Sequence, residues 1–256
     1  MAMPSEHVTI TSRDGLELSA LVMPPAPTVT VTTGQRYRQD PAHHRANAPG
    51  GDSHRNSDAI VTEAPGVVVL HGFGSRKENH LDFAERLSAA GTWALVPDLR
   101  GHGETGGPME EGMIGDVLAC LDHLEFLGAG ALGLRGSSMG GFLALVAAPM
   151  HPRVGALVAI CPARPEALAR RLEAEWPLSH PLEHATWRDD GIARGFWHAR
   201  GDEVVPWGNT FNLHSRASQP KHLRVIMGGS HRSLQHDPAV QADTVDFLAA
   251  HLGVVP

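Results

Sequence analysis

The chain has 256 residues, of which 42% are hydrophobic and 19% are charged, and its formal net charge is −7 at pH 7. This length and composition are sufficient for one α/β domain with a large buried core, spanning residues 1–256. The negative charge and the absence of a basic stripe argue against a nucleic-acid-binding protein, whose positive face would be expected to dominate.

The predicted elements alternate between strands and helices, which is typical of a mostly parallel sheet covered by helices on both faces. An N-terminal hairpin is predicted from residues 7–11 and 16–23, joined through Asp14-Gly15. Further strands are predicted near residues 67–71, 93–98, 131–136, 154–160, 195–200 and 222–227. Helices are predicted near residues 79–90, 110–127, 139–149, 208–217 and 237–252. The predicted fold is therefore an α/β fold with an eight-stranded sheet.

Two segments interrupt this alternation. Residues 26–64 are long for a connection between strands and have little apolar periodicity, so we expect a flexible insertion. Its histidines at 43, 44 and 54 lack the further ligands that would complete a metal site, and we predict none. Residues 162–193 have room for one helix, near 165–175, and a loop, which predicts a small cap.

A Gly-x-Ser-x-Gly pattern lies between a predicted strand and a predicted helix, at Gly136, Ser138 and Gly140. A sharp turn between strand and helix strains the backbone and brings the two elements too close for side chains at the flanking positions, so glycine is required there. Such a turn exposes the serine hydroxyl, which becomes a useful nucleophile once a base removes its proton. Ser138 is therefore the candidate nucleophile.

An acid and a histidine follow the last two predicted strands. Asp202 comes directly after the strand near 195–200, and His231 comes directly after the strand near 222–227. The alternatives for the acid are Glu203, Asp189 and Asp190, although the last two precede their strand and belong to its other end. The alternatives for the base are His222, which opens a strand, and His236, at a helix start. Asp202 and His231 remain the favoured pair.

These motifs together resemble the α/β-hydrolase superfamily, in particular its compact serine esterases of the dienelactone-hydrolase-like and feruloyl-esterase-like types. The chain order of serine, acid and histidine matches that family. Residues 67–74 look like its strand and oxyanion turn, and residues 97–105 are similar to its Asp-x-Arg-Gly-His-Gly-x-Ser loop, with Thr105 in place of the usual serine. The resemblance covers roughly residues 65–252.

The resemblance implies a role for each site residue. Ser138 attacks the carbonyl carbon, His231 is the general base and then the general acid, and Asp202 orients His231. The backbone N–H groups of Phe73 and Met139 form the oxyanion hole. No metal or organic cofactor is required. Four other residues resemble scaffold positions that brace the loops by hydrogen bonding: His71, Asp98, Arg100 and His102.

The expected function is hydrolysis of small to medium carboxylic esters through an acyl-enzyme. The same triad also serves thioesters and amides, so an acyl thioesterase and a peptidase remain alternatives, as does a ligand sensor of low turnover. Ser138 excludes a haloalkane dehalogenase, because those enzymes have aspartate at the position of the nucleophile.

The expected partner is a small-molecule ester, with no nucleic acid and no membrane, and we expect a monomer or homodimer. The N-terminus shows no signal-peptide pattern and no stretch of about 18 apolar residues occurs, which predicts a cytoplasmic protein. Cys120 and Cys161 are expected to be buried, reduced thiols.

Overall fold

The structure, a computed structural model, describes residues 3–27, 63–110, 112–164 and 188–253. The predicted insertion at 26–64 and the predicted cap at 162–193, with its helix near 165–175, lie outside the described residues except at their ends. In the part of the chain that is described, no helix is both long enough and apolar enough to cross a membrane.

Eight strands form one sheet, in the order β1-β2-β4-β3-β5-β6-β7-β8. The strands are β1 Glu6–Thr11, β2 Glu17–Met23, β3 Gly66–Leu70, β4 Trp93–Pro97, β5 Leu132–Ser137, β6 Val154–Ile160, β7 Ala193–Ala199 and β8 Lys221–Ile226. β1 pairs antiparallel with β2, and β2 with β4, while all the other pairs are parallel. β3 and β6 are continuous apolar runs because helices cover both faces of the sheet.

Five α-helices are present in the described residues. They are α1 Leu81–Ala89, α2 Gly112–Phe126, α3 Met139–Ala147, α4 Trp207–Arg216 and α5 Pro238–Leu252. Side chains of α2, α3 and α4 pack into the hydrophobic core on one face of the sheet, and those of α1 and α5 pack into the core on the other. Because β3 to β8 are parallel, their carboxyl ends lie at the same end of the sheet. Ligand sites of open α/β sheets are found at this end.

Local chemistry determines where α5 begins and ends. The Asp237 side chain accepts hydrogen bonds from the N–H groups of Ala239 and Val240, and Pro238 occupies the first helical position. The helix ends at Leu252, and the next residue, Gly253, has a φ of 78°, a left-handed conformation that glycine adopts without strain.

The predicted α/β fold with an eight-stranded sheet is confirmed, and in the described part of the chain the predicted strands and helices lie within about two residues of the observed ones. The main difference is at the predicted helix near 79–90. There the chain first forms a 3₁₀ turn at Lys77–His80, and the α-helix begins only at Leu81. Both cysteines are buried and unpaired, as predicted.

Candidate active site

The turn at Ser138 has the strained geometry of a nucleophile elbow. Ser138 has φ 51° and ψ −114°, a conformation that residues with a side chain rarely adopt. Its N–H donates to the Ile160 carbonyl at 2.9 Å, and its own carbonyl accepts from Ala163 N at 2.9 Å and Phe142 N at 3.0 Å. These bonds to the end of β6 and to α3 hold the strained turn in place.

Two glycines make the turn possible. A Cβ at Gly136 would lie 2.1 Å from the Gly140 carbonyl oxygen, and a Cβ at Gly140 would lie 2.3 Å from the Leu70 carbonyl oxygen. Both contacts are with backbone atoms, which cannot rotate away. The Gly-x-Ser-x-Gly pattern therefore reflects close packing of β3, β5 and α3.

We expect Gly140→Ala to destabilise the protein and reduce its activity, because the new methyl group must displace the backbone of β3. An overpacked core typically costs about 1–3 kcal/mol of unfolding free energy. Gly208→Ala is the matched control, since a Cβ at this position of α4 meets no atom within 4 Å. Urea denaturation of both variants measures the effect. Equal stability of the two variants would contradict this packing argument.

Asp202 and His231 are hydrogen-bonded to each other. Asp202 lies after β7, and its Oδ1 accepts from the N–H groups of Val204 and Val205, both at 2.8 Å. Its Oδ2 accepts from His231 Nδ1 at 2.7 Å. A carboxylate can only accept this bond, so neutral His231 carries its proton on Nδ1 and leaves Nε2 available as a base.

The surroundings of Asp202 favour its ionised form. Burial alone would raise its pKa, but hydrogen bonds from His231, Val205 and Val204 outweigh burial and lower the pKa to about 2. The Cys161 thiol also hydrogen-bonds to this carboxylate, and His198 Nε2 lies 3.4 Å from Oδ2. The contacts of Cys161 and His198 with the acid were not predicted, because nothing in the local sequence distinguishes them from ordinary core residues at strand ends.

The other acids and histidines considered from the sequence lie in different settings. Asp190 pairs with Arg194 at 2.7 Å, at the start of β7. Glu203 is exposed and accepts a hydrogen bond of 3.3 Å from His231 N. His222 packs against Trp197 with ring centroids 5.2 Å apart. His236 lies 3.3 Å from Asp82 and lines the same cleft as His231.

Ser138 and His231 line the same cleft. It has a volume of about 670 Å³. Its described lining includes Gly72, Phe73, Ser138, Val204, Val205 and His231. Ser138, His231 and Phe73 thus face one cavity, while Asp202 lies behind His231. Phe142, in α3 after Ser138, is 1% exposed and belongs to the core.

The two residues predicted to supply oxyanion donors flank Ser138. Met139 is the first residue of α3, so its N–H has no carbonyl one turn earlier to bond to. Phe73 follows Gly72, where a Cβ would lie 3.3 Å from Ser138 Cβ. The backbone of the turn after β3 therefore packs directly against the candidate nucleophile, as an oxyanion hole requires.

Two histidines brace the turn after β3, as the sequence predicted. His71 Nε2 accepts from Leu99 N at 2.9 Å, so its protonated Nδ1 donates to the Gly72 carbonyl at 2.8 Å. His102 Nε2 accepts from Gly74 N at 3.0 Å, and its Nδ1 donates to the Arg100 carbonyl at 3.1 Å. These bonds connect both sides of Phe73 to the loop that follows β4.

Buried ion pairs extend the same bracing. Asp98 accepts from Lys77 Nζ at 2.6 Å and from Lys77 N at 2.8 Å, and Lys77 Nζ also reaches Glu104 at 2.7 Å. Arg100 binds Asp116 through two nitrogens, at 2.6 and 2.9 Å. Asp98 and Arg100 were predicted to brace the loops. The burial of Lys77 was not, since it lies in a charged segment that resembles an exposed loop.

We expect the free energy of unfolding to fall as the pH falls from about 6.5 to 4. Burial is the main cause that lowers the pKa of His71 to about 4 and that of His80 to about 2. The unfolded chain, with ordinary histidine pKa values, binds more protons in this range, so acid favours unfolding by roughly 1.4 kcal/mol per pH unit for each histidine. Carboxylates with lowered pKa values add to this loss only as the pH falls below about 5.

Urea denaturation at several pH values measures this dependence, and His80→Gln is expected to flatten it. An unfolding free energy that does not change between pH 7 and 4.5 would contradict the assignment of neutral, buried histidines.

Among the described residues, one group of three possible metal ligands lies within 4.8 Å: Cys161, Asp202 and His231. The hydrogen bonds to Asp202 already account for this grouping. The histidines at 43, 44 and 54 lie outside the described residues.

In comparison with known proteins, residues 63–181 match a family model described as serine aminopeptidase, S33. The chain is 26% identical over 231 residues to the putative esterase YitV of Bacillus subtilis, covering 73% of this chain and 89% of that protein. It is 24% identical over 231 residues to the esterase YjfP of Escherichia coli, covering 75% and 90% of the two chains.

Among solved structures, Est1E of Butyrivibrio proteoclasticus with bound ferulic acid is similar to this chain. Its TM-score is 0.70 at 18% identity, and the match covers 96% of this chain and 100% of the other. At this identity the likeness establishes the fold, while the sequence relatives bear on activity.

Proposed function

We propose that this chain is a serine hydrolase of the α/β-hydrolase superfamily, which cleaves small to medium carboxylic esters through an acyl-enzyme. The observation that carries the proposal is the 2.7 Å hydrogen bond between His231 and Asp202, in a cleft that also exposes Ser138 at a strained turn. The esterase names of the two sequence relatives support ester hydrolysis.

Acylation begins when Ser138 Oγ attacks the ester carbonyl carbon while His231 Nε2 takes the hydroxyl proton. Asp202 stabilises the imidazolium that results, through the bond to Nδ1. The carbonyl oxygen becomes an oxyanion, which the N–H groups of Phe73 and Met139 stabilise. One such donor is typically worth about 3 kcal/mol in the transition state.

Collapse of the tetrahedral intermediate breaks the bond to the leaving alcohol, which takes the proton from His231. A water molecule then attacks the acyl-enzyme, His231 removes its proton, and the second tetrahedral intermediate releases the carboxylic acid and restores Ser138. A cleft of about 670 Å³ suits small to medium substrates.

A peptidase is the second candidate, because the family model that matches residues 63–181 is described as a serine aminopeptidase. The same residues can attack an amide, although an amine leaving group must be protonated more completely than an alcohol before it departs. Substrate preference therefore distinguishes the two candidates.

We expect p-nitrophenyl esters to be hydrolysed with a chain-length optimum at short or medium acyl groups, and much faster than a matched thioester or an aminoacyl p-nitroanilide. Initial rates over an acyl series from two to twelve carbons, measured with all three bond types, test this prediction. A clear preference for the anilide would support the peptidase, and one for the thioester would support a thioesterase. Tight binding without turnover would indicate a sensor.

A further inference from the structure

The segment that carries His231, residues 228–237, is called here the histidine loop. The hydrogen bonds within the loop join residues that are close in sequence. Ser230 N donates to Ser233 Oγ at 2.8 Å, and Leu234 N donates to the Ser230 carbonyl at 3.3 Å. His231 connects the loop to Asp202, on the strand β7 side. None of these bonds determines how far His231 lies from Ser138, which belongs to β5 and α3.

Gln235 supplies a connection between the histidine loop and β5. Its side-chain Oε1 accepts a hydrogen bond from Ser137 Oγ. Its carbonyl oxygen accepts from Arg135 Nη2 at 2.8 Å. Residues two apart on a strand point to the same face, so Arg135 and Ser137 present their side chains together to Gln235.

These groups are buried, which strengthens the connection. Relative exposure is 1% for Arg135, 5% for Ser137 and 9% for Gln235. The Arg135 guanidinium stacks over the Phe83 ring at 4.0 Å, so its orientation is restricted. Burial lowers the pKa of Arg135 to about 10, which leaves it charged at neutral pH, and its bond to Gln235 is therefore charge-assisted.

We propose that Ser137 and Gln235 are positioning residues, which set the distance between the nucleophile Ser138 and the base His231. This proposal rests on the proposed serine hydrolase mechanism. Ser137 directly precedes Ser138, and Gln235 lies four residues after His231, so their hydrogen bond links the segments that carry the two reacting groups. Proton transfer requires close approach, and a misplacement of about 1 Å can cost about 100-fold in rate.

A double-mutant cycle of Ser137→Ala, Gln235→Met and the double variant tests the proposal. We expect each single variant to lower kcat for a p-nitrophenyl ester by about 10- to 100-fold with KM within about twofold of wild type. The double variant should be no slower than the slower single variant, because both changes remove the same bond. Phosphonylation of Ser138 by a fluorophosphonate should slow by a similar factor.

Two further variants serve as controls. Gln235→Glu keeps an acceptor for Ser137, so its kcat should stay within a few-fold of wild type, unlike that of Gln235→Met. Ser215→Ala removes a hydroxyl on α4 that bonds locally to the Asn212 carbonyl, and should leave kcat unchanged. Thermal unfolding verifies that each variant is folded, and Ser137→Ala alone tests the proposal if Gln235→Met does not fold.

Unchanged kcat in folded Ser137→Ala or Gln235→Met would overturn the proposal. So would losses that add in the double variant. A rise in KM without a fall in kcat would also overturn it, and would assign Ser137 and Gln235, which both line the cleft, to substrate binding. Wild-type turnover by Ser138→Ala would instead overturn the serine hydrolase mechanism, so the two failures are distinguishable.

Discussion

Replacing Ser138 by alanine is expected to abolish ester hydrolysis. Loss of the nucleophile in a serine hydrolase lowers kcat by about 10⁶-fold, because no acyl-enzyme can form. The alanine side chain is smaller than serine, so the turn between β5 and α3 should persist and the variant should remain folded. Residual hydrolysis of about 10³-fold above water is expected from the remaining oxyanion donors.

Steady-state hydrolysis of a p-nitrophenyl ester by wild type and Ser138→Ala measures this effect, with circular dichroism as the check of folding. Ser215→Ala is the matched control, since it makes the same change at an exposed serine far along the chain. Activity of folded Ser138→Ala within tenfold of wild type would exclude Ser138 as the nucleophile.

Replacing Asp202 by asparagine is expected to lower kcat by about 10⁴-fold. The asparagine amide has a similar shape, but the protein no longer requires the His231 proton to be on Nδ1. In the other tautomer Nε2 carries the proton and cannot accept one from Ser138. The negative charge that stabilises the imidazolium is lost as well, so both acylation and deacylation slow down.

Glu203→Gln is the matched control for the acid. Glu203 is next to Asp202 and near His231 N, but it is exposed and its contact is 3.3 Å long. We expect its loss to change kcat by no more than a few-fold, because the bond does not involve the imidazole ring. A larger loss in Glu203→Gln than in Asp202→Asn would make Glu203 the acid of the triad.

The elements that the sequence predicted well are those with strong local signals. Burial on both faces of the sheet explains the valines of β3. Close backbone contact explains the glycines at 136 and 140. The position of Asp202 directly after a strand has a local explanation as well, because its carboxylate accepts hydrogen bonds from the N–H groups of the turn that follows. Local sequence was sufficient for these features.

The contacts that the sequence did not predict join residues far apart in the chain. Gln235 and Ser137 are separated by 98 positions, and Lys77 and Asp98 by 21. A lysine between an arginine and a glutamate is ordinarily solvent-exposed, and Lys77 becomes buried only because three carboxylates surround its ammonium group. Such partners are known only once the strands have been placed side by side.

The measurement that tests the central claim most directly is the site of covalent modification by diethyl p-nitrophenyl phosphate. Attack by Ser138 Oγ on phosphorus releases p-nitrophenolate, while His231 takes the hydroxyl proton, and the phosphoryl group remains on the enzyme. We predict one diethylphosphoryl group per chain by mass spectrometry, located on the peptide that contains Ser138, with activity lost in proportion. Modification of a different residue, or full activity after complete modification of Ser138, would contradict the account.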